Sequence, residues 1–93
     1  MGQKIYMKPY ELIFITASGE EKEEKKIQTY IKDLSGVVEK KESWGKKTFS
    51  YPIKKKRSGY YFEYQINLAA PQVLELKRKL DLDESILRYL LLT

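Results

Sequence analysis

The feature that most constrains the fold is a pair of extended segments in the middle of the chain, separated by a short basic stretch. Residues 37–53 form a long extended segment interrupted at Gly45 and Pro52, and residues 60–68 (YYFEYQINL) have the composition of a strand. Residues 54–59 (KKKRSG) join them. The pattern predicts a protruding β-hairpin with a basic tip. Gly45 would mark a bulge or a kink, and Pro52, which has no amide proton to donate, favours an edge or irregular position.

The residues before the hairpin predict a buried strand followed by an amphipathic helix. Residues 10–16 (YELIFIT) are nearly continuous in their apolarity, as expected of a strand in the middle of a sheet. Ser18 and Glu21 have the spacing of a capping box, so the helix is expected to begin there, and Gly36 is expected to end it in the left-handed conformation. The apolar positions follow one helical stripe: Ile27, Tyr30, Ile31 and Leu34.

The residues after the hairpin add a second helix and a last strand. Pro71 suits the first turn of a helix whose apolar stripe begins at Val73, and a loop at residues 81–84 leads to an apolar strand at residues 86–92 (ILRYLLL). The order βαββαβ predicts an α+β fold of the ferredoxin-like type, a four-stranded antiparallel sheet with two helices on one face and the other face open for a partner. The expected core residues are Leu12, Phe14, Ile27, Ile31, Leu34, Ile66, Leu76, Leu80 and Leu90.

The 93-residue chain has room for one hydrophobic core, so we expect a single domain at residues 8–93. Residues 1–7 (MGQKIYM) precede any periodic pattern and are expected to form a flexible N-terminal extension. The longest apolar runs are far shorter than the roughly 20 residues of a transmembrane helix, so no membrane contact is expected.

Cysteine and histidine are both absent from the sequence. Without cysteine the chain cannot form a disulfide framework or a thiolate metal site, which fits a reducing cytoplasm. Without histidine it lacks the usual acid–base group near neutral pH and the commonest nitrogen ligand of metals. We therefore expect no enzymatic activity, no cofactor, no metal and no small-molecule substrate.

The charge distribution indicates a polyanionic partner such as RNA. Lysine and arginine number 18 against 13 acidic residues, for a net charge of +5, and eight of the 18 basic residues lie between Lys40 and Arg57. An acidic stretch lies elsewhere, at residues 20–24. The alternative for residues 54–57 is a solvated turn that keeps the sheet edge from pairing with another chain.

Residues 42–53 (ESWGKKTFSYPI) resemble the most characteristic segment of the ribosomal protein six family of the bacterial small subunit: a glycine, two basic positions, a large apolar residue and then Tyr-Pro-Ile followed by lysine. Residues 8–11 (KPYE) resemble the opening of the family, and residues 58–61 (SGYY) fall where its hairpin turns. The resemblance covers residues 7–93. Three departures are Phe49 where leucine is usual, a shorter first-helix region and the lack of the acidic C-terminal tail that some members carry.

The resemblance implies a structural component of the small ribosomal subunit in the cytoplasm, which binds 16S ribosomal RNA in the central domain together with ribosomal protein eighteen. Basic side chains would contact phosphates through charge rather than through sequence-specific geometry. Lys46 and Lys47 should point to opposite faces of their strand, and Lys8 and Arg88 lie on strands expected to neighbour the hairpin. The predicted RNA-binding residues are Lys8, Lys46, Lys47, Lys54, Lys55, Lys56, Arg57 and Arg88.

Three aromatic residues of the hairpin are predicted to meet the protein partner: Trp44, Tyr51 and Tyr61. Tryptophan is favoured at interfaces by its large apolar area and single donor, and core packing is the alternative for Trp44. Base stacking is the alternative for the tyrosines. Strand alternation favours packing or protein contact over stacking, because it sends about half of such side chains into the core.

Two other functions remain compatible with the predicted fold. An acylphosphatase-like hydrolase would need a loop arginine and a positioned asparagine, whereas the single asparagine, Asn67, lies within a predicted strand and no glycine-rich loop precedes the first helix. A small protein-interaction or regulatory domain would pair through its sheet. The basic hairpin argues against this second alternative.

Overall fold

The computed structural model describes residues 6–93, which form a sheet and two α-helices in the predicted order βαββαβ. One short 3₁₀ turn, Ala70–Gln72, precedes the second helix. Neither helix in the described residues is long and apolar enough to cross a membrane. The elements are Met7–Thr16 (β1), Glu21–Asp33 (α1), Val37–Ile53 (β2), Lys56–Ala69 (β3), Val73–Leu82 (α2) and Ile86–Leu92 (β4).

The four strands are antiparallel and lie in the order β2-β3-β1-β4, so β1 and β3 are central and the other two are edges. Alternate residues of the central strands are buried beneath the helices, including Leu12 and Phe14 in β1 and Phe62 and Tyr64 in β3. The intervening residues face the other side of the sheet, here called the open face. This architecture confirms the predicted ferredoxin-like fold.

Strand β1 begins earlier than the predicted start at Tyr10. Met7 already pairs with Ala69 of β3. Backbone pairing extends the strand through exposed residues, which apolar periodicity does not register. Met7 of the expected N-terminal extension therefore belongs to the sheet, and residues 1–5 of that extension lie outside the described residues.

The hydrophobic core lies between the sheet and the helices and contains most of the predicted residues. Phe14 is fully buried, with its ring stacked on Phe62 at a centroid distance of 5.1 Å and edge-on to Tyr64 at 5.0 Å. The prediction for Leu90 is wrong, because a register shift in β4 places this residue on the open face, where it is 53% exposed. Leu34 is only partly buried and packs at the edge of the core. The confirmed core residues are Leu12, Phe14, Ile27, Ile31, Ile66, Leu76 and Leu80.

The amino end of α1 lies near the predicted residue, but the predicted capping box is absent. The helix starts at Glu21 with Glu20 as its N-cap residue, and no side chain caps it. The Ser18 hydroxyl oxygen instead accepts a hydrogen bond from the Glu20 amide at 3.4 Å. Acidic side chains in the first turn stabilise this end of the helix through its dipole.

The carboxyl end of α1 forms a Schellman motif one residue away from the predicted position. Ser35, not Gly36, is left-handed, with φ 60°. The Gly36 amide donates to the Ile31 carbonyl at 2.8 Å, and the Ser35 amide donates to the Lys32 carbonyl at 2.9 Å. Gly36 is required for space instead, because a Cβ atom there would lie 2.8 Å from Ile31 Cγ2 and 2.9 Å from Leu68 Cδ1.

The junction between α2 and β4 is held by a buried carboxylate. The helix continues past Asp81, where the sequence predicts a loop, and ends at Leu82. Its C-cap residue, Asp83, is 8% exposed. Asp83 accepts hydrogen bonds from the Tyr30 hydroxyl at 2.7 Å, the Ser85 amide at 2.9 Å and the Lys26 ammonium at 3.2 Å. Burial alone would raise the pKa of Asp83, but the hydrogen bonds from Ser85 and Tyr30 bring it below its ordinary value. This network ties α1 to the start of β4.

Candidate nucleic-acid interface

The turn between β2 and β3 is tighter than predicted. Ile53 pairs with Lys56, so only Lys54 and Lys55 form the turn and residues 56–59 belong to β3. Both turn residues have positive φ, 48° and 67°, as a type I′ turn requires. This turn matches the twist of the strands, although each non-glycine residue in the left-handed region costs roughly 1–2 kcal/mol. Such turns usually contain Asn-Gly or Asp-Gly, so Lys-Lys gave no turn signal.

The basic residues predicted at the hairpin tip, Lys54, Lys55, Lys56 and Arg57, are all exposed. Within residues 6–93 the charged groups of Lys55, Lys56 and Arg57 form no salt bridge. Lys54 differs, because its ammonium donates a hydrogen bond to the carbonyl oxygen of Ile86 at 2.9 Å. Three cations of the tip are therefore available to an external anion.

A β-bulge at Gly45 bends β2, as predicted. The pairing shifts between Ser43 and Gly45, and Gly45 has φ 81°, a left-handed value that favours glycine. Trp44 is the unpaired residue, and its ring stacks on Tyr61 at a centroid distance of 6.4 Å and an interplanar angle of 11°. Trp44 is 40% exposed, so it covers the hairpin from outside and is not part of the core.

A second irregularity lies at residues 49–52. On the partner strand only Arg57 lies opposite these four residues, so the segment bulges out of the ladder. Pro52 lies in this segment of an edge strand, as predicted. Tyr51 is 82% exposed, which excludes core packing for its side chain. The segment borders an open cleft of about 410 Å³ that Arg88 also lines.

The open face carries an apolar patch beside the hairpin. Ile15 of β1 pairs with Tyr61 on one side and with Arg88 on the other. Ile13 pairs with the exposed Leu90. Ile15 itself is buried, so the exposed parts of the patch lie at the stacked Trp44 and Tyr61 rings on one side and at Leu90 of β4 on the other.

Carboxylates form a strip along the same face. Glu42 pairs with Glu63 across the two hairpin strands, and Glu11 lies close to Glu63 on β1. Hydrogen bonding with Glu11 raises the pKa of Glu63, and burial and repulsion between the two negative charges act in the same direction. This strip of the open face is thus opposite in sign to the hairpin tip.

The remaining predicted RNA-binding residues are not gathered at the tip. Lys46 and Lys47 point to opposite sides of β2, as predicted: Lys46 lines a cleft with the β1–α1 loop, and Lys47 pairs with Gly59 on the open side. Arg88 lies in β4, which pairs with β1 and not with a hairpin strand, contrary to our expectation. It approaches the hairpin only across the cleft at residues 49–52. Lys8 lies at the other end of β1, paired with Leu68.

The structure gives the hydrolase alternative no support. Asn67 donates its side-chain amide to the Glu39 carboxylate at 2.6 Å, across neighbouring edge and central strands, and is not held in a loop. Among residues 6–93 no group of histidine, cysteine, aspartate or glutamate is arranged to hold a metal ion.

Fold and charge pattern define the class of protein, a small ferredoxin-like domain with an exposed basic hairpin and an uncovered sheet face. The sequence profile of the family described as ribosomal protein S6 matches residues 9–93. The chain therefore belongs to the ribosomal protein S6 family, which confirms the resemblance found in the sequence.

Individual relatives agree with this assignment. The chain is 40% identical over 65 residues to the small ribosomal subunit protein bS6 of Dictyoglomus turgidum, a match covering 70% of this chain and 67% of that protein. For the bS6 protein of Gluconobacter oxydans, at 39% identity, the match spans only 41% of the relative. For that of Fusobacterium nucleatum, at 30% identity, it covers 90% of this chain and 95% of the relative.

A solved structure shows the same fold. The crystal structure of 30S ribosomal protein S6 from Thermotoga maritima, 25% identical in sequence, matches with a TM-score of 0.79 over 92% of this chain and 86% of that chain. The relatives are named as ribosomal proteins, a family of structural proteins and not of enzymes, so the prediction of a non-enzymatic protein is confirmed.

Sequence reasoning missed the bond that engages Lys54 and the length of the irregular segment at residues 49–52. Pro52 was the one signal of that irregularity. The contact between Lys54 and Ile86 joins residues far apart in the sequence, and no local pattern encodes it.

Proposed function

We propose that this protein is a structural component of the cytoplasmic small ribosomal subunit and binds 16S ribosomal RNA in its central domain together with ribosomal protein eighteen. The observation that carries the proposal is the hairpin tip, where Lys55, Lys56 and Arg57 are exposed and form no salt bridge within residues 6–93. Membership in the ribosomal protein S6 family supports it.

On the RNA side, the tip provides positive charge without a rigid recognition surface. Lysine ammonium groups on a turn neutralise phosphates but do not read bases, so affinity should depend on salt more than on sequence. Lys47 and Arg88 extend the basic surface on the open side, and Lys46 extends it on the helix side. Lys8, at the opposite end of β1, would contact a separate part of the RNA.

On the protein side, the open face offers an apolar patch with aromatic anchors. Trp44 and Tyr61 stack on each other and remain accessible, and Tyr51 stands out from the adjacent irregular segment. Aromatic side chains of this kind commonly contribute most of the affinity at protein interfaces. The carboxylate strip beside them, which includes Glu42 and Glu63, favours a partner with basic side chains.

The proposal predicts cooperative assembly, because one basic tip makes few phosphate contacts and a joint surface makes more. Binding of the full chain to a central-domain fragment of 16S RNA would be measured with and without ribosomal protein eighteen. We expect the partner to raise affinity by at least about tenfold, a coupling within the usual range. Equal affinities with and without the partner would contradict the heterodimer.

Association with the subunit itself is tested by sedimentation. The tagged full chain should migrate with 30S particles in a sucrose gradient and leave that fraction after nuclease digestion. A chain that stays at the top of the gradient before digestion is not a component of the small subunit. A chain that sediments unchanged after digestion is held by protein contacts alone.

A further inference from the structure

The hairpin tip is attached to the opposite edge strand of the sheet. Lys54 lies in the turn after β2, and its ammonium donates a hydrogen bond at 2.9 Å to the carbonyl oxygen of Ile86, the first residue of β4. Strands β3 and β1 separate β2 from β4 in the sheet. The hairpin must therefore lean across the end of the sheet for this contact to form.

The acceptor lies where the ladder of β4 is irregular. Thr16 pairs with Ile86 and Ile15 with Arg88, which leaves Leu87 without a partner residue. The side chain of Lys54 also lines a cleft of about 280 Å³ with Leu87 and residues at the end of α2. Its methylene chain can lie along this partly apolar cleft while the ammonium reaches the backbone.

The outer part of the hairpin needs such a contact. Residues 56–59 pair with β2 only, since the pairing between β1 and β3 ends at Tyr60. On the β2 side, residues 49–52 bulge out of the ladder. A two-stranded ribbon is marginally stable in water without a third strand or a packing surface. The hydrogen bond from Lys54 therefore anchors the outer part of the hairpin, which makes few other contacts with the rest of the sheet.

We propose that Lys54 is a positioning residue, a latch that fixes the hairpin tip against β4 and so presents Lys55, Lys56 and Arg57 to RNA in one orientation. The inference rests on the proposed RNA-binding function and separates Lys54 from the three other basic residues of the tip. The ammonium of Lys54 is already bound to the Ile86 carbonyl. Lys54 therefore contributes to affinity by preorganising the tip and not by neutralising a phosphate.

The two roles differ in their dependence on salt. Each phosphate that a lysine neutralises adds about 0.7 to 0.9 to the slope of log K against log[salt]. A latch adds nothing to that slope, because its removal disorders the tip without changing how many counterions are released. Affinity and slope together therefore distinguish a latch from a ligand.

The experiment compares Lys54→Met with Lys55→Met in the full chain. Methionine keeps a long apolar side chain and removes the ammonium in both variants. Amide hydrogen exchange of residues 53–57 is measured in the free protein, and affinity for the central-domain RNA with ribosomal protein eighteen is measured over a range of salt concentrations. Lys54→Arg, which keeps a donor, is the rescue variant.

For Lys54→Met we expect about tenfold faster exchange at the tip, the size of one charge-assisted hydrogen bond, and weaker RNA binding with an unchanged salt slope. Lys55→Met should leave exchange unchanged and lower the slope by about 0.7 to 0.9. Exchange at residues 62–66 should be the same in every variant, which shows that the fold is retained. Lys54→Arg should restore slow exchange at the tip.

Unchanged exchange at the tip in Lys54→Met would overturn the latch. A salt slope that falls as much as in Lys55→Met would also overturn it, because Lys54 would then be a phosphate ligand. If the unmodified protein does not bind the RNA, the proposed function and the presentation of ligands to RNA both fail. Faster exchange in Lys54→Met would still confirm the contact between the tip and β4 in that case.

Discussion

Strand β3 runs through two regions of the molecule that are held in different ways. Residues 60–67 lie between β1 and β2 and pair with both strands, and their inward side chains, such as Phe62 and Tyr64, are buried in the core. Residues 56–59 pair only with β2, and the charged groups of Lys56 and Arg57 remain in solvent. The core contacts and the proposed RNA contacts therefore lie in separate parts of one strand, so substitutions in the two regions should affect different measurements.

The largest loss of stability should come from the core region. Phe14→Ala removes a fully buried ring that contacts both Phe62 and Tyr64, and should lower the free energy of unfolding by about 3–5 kcal/mol. Leu82→Ala, at a residue 78% exposed, is the control and should change it by less than about 0.5 kcal/mol. Urea denaturation measures both. A loss below about 1 kcal/mol in Phe14→Ala would mean that the site collapses around the smaller residue.

The next effect concerns the buried Asp83 carboxylate and depends on pH. Its pKa is lowered in the folded state, so its stabilisation is complete above the unfolded value of about 3.9 and is lost as pH falls through the lower native value. Asp83→Asn should cost about 1–3 kcal/mol at pH 7, because Tyr30, Ser85 and Lys26 lose a charged acceptor.

Urea unfolding of both proteins between pH 7 and pH 2 measures this prediction. The difference between them should shrink as pH falls below about 4, because the unfolded chain of the original protein then binds a proton at Asp83, whereas the folded protein does so only below its lowered native pKa. A difference that stays constant over the whole range would show that the carboxylate charge is not what stabilises the junction.

A smaller loss of stability is expected at Trp44, a partly exposed residue of β2 that stacks on Tyr61 of the doubly paired region. Trp44→Ala removes the stack on Tyr61 and should cost about 0.5–1.5 kcal/mol of stability, together with a loss of affinity for ribosomal protein eighteen. Trp44→Phe keeps an aromatic ring and is the control. Calorimetric titration with the partner protein measures the affinity, and an unchanged value in Trp44→Ala would remove this residue from the proposed interface.

The smallest effect on stability is expected at the tip. Replacing Lys55 and Lys56 together with alanine should change the free energy of unfolding by less than about 0.5 kcal/mol, because both residues are exposed. RNA affinity should fall similarly for different sequences, and its salt slope should become shallower by roughly 1 to 2.

The matched control removes the same charge elsewhere, by replacing Lys22 and Lys25, exposed residues of α1. If this control lowers the salt slope as much as the tip variant does, RNA binding reflects net charge, and the tip has no special role. Filter binding at several salt concentrations separates the two outcomes.

The order of elements was predictable because side-chain type decides it. Residues such as Ile27 and Leu80 follow a helical stripe, and their burial confirms the pattern. Prediction failed where the backbone pairing of a strand decides which of its residues face the core. Leu90 was assigned to the core from strand alternation, but Leu87 has no partner residue in the ladder, and this changes which residues of β4 face the helices.

The candidate site was predictable only as a run of charge. Lysine and arginine at the tip are visible in the sequence, and their exposure follows from the desolvation cost of charge. The different role of Lys54 depends on where β4 begins in space relative to the tip, which the sequence does not encode locally. The same limit applies to Asp83 and Tyr30, whose contact joins α1 to the residue that follows α2, far away in the chain.

The place of β1 between β3 and β4 determines the order in which the sheet can form. The two-residue turn brings β2 and β3 together at small entropic cost. The pairing of Phe14 with Phe62 and with Tyr89 costs more chain entropy, because long segments of chain separate these residues. Pairings of high sequence separation are generally the slow steps of folding. We expect the hairpin to form first and the docking of β1 to limit the rate. During synthesis from the amino end, the apolar residues of β1 must therefore wait unpaired until β3, and later β4, has been made.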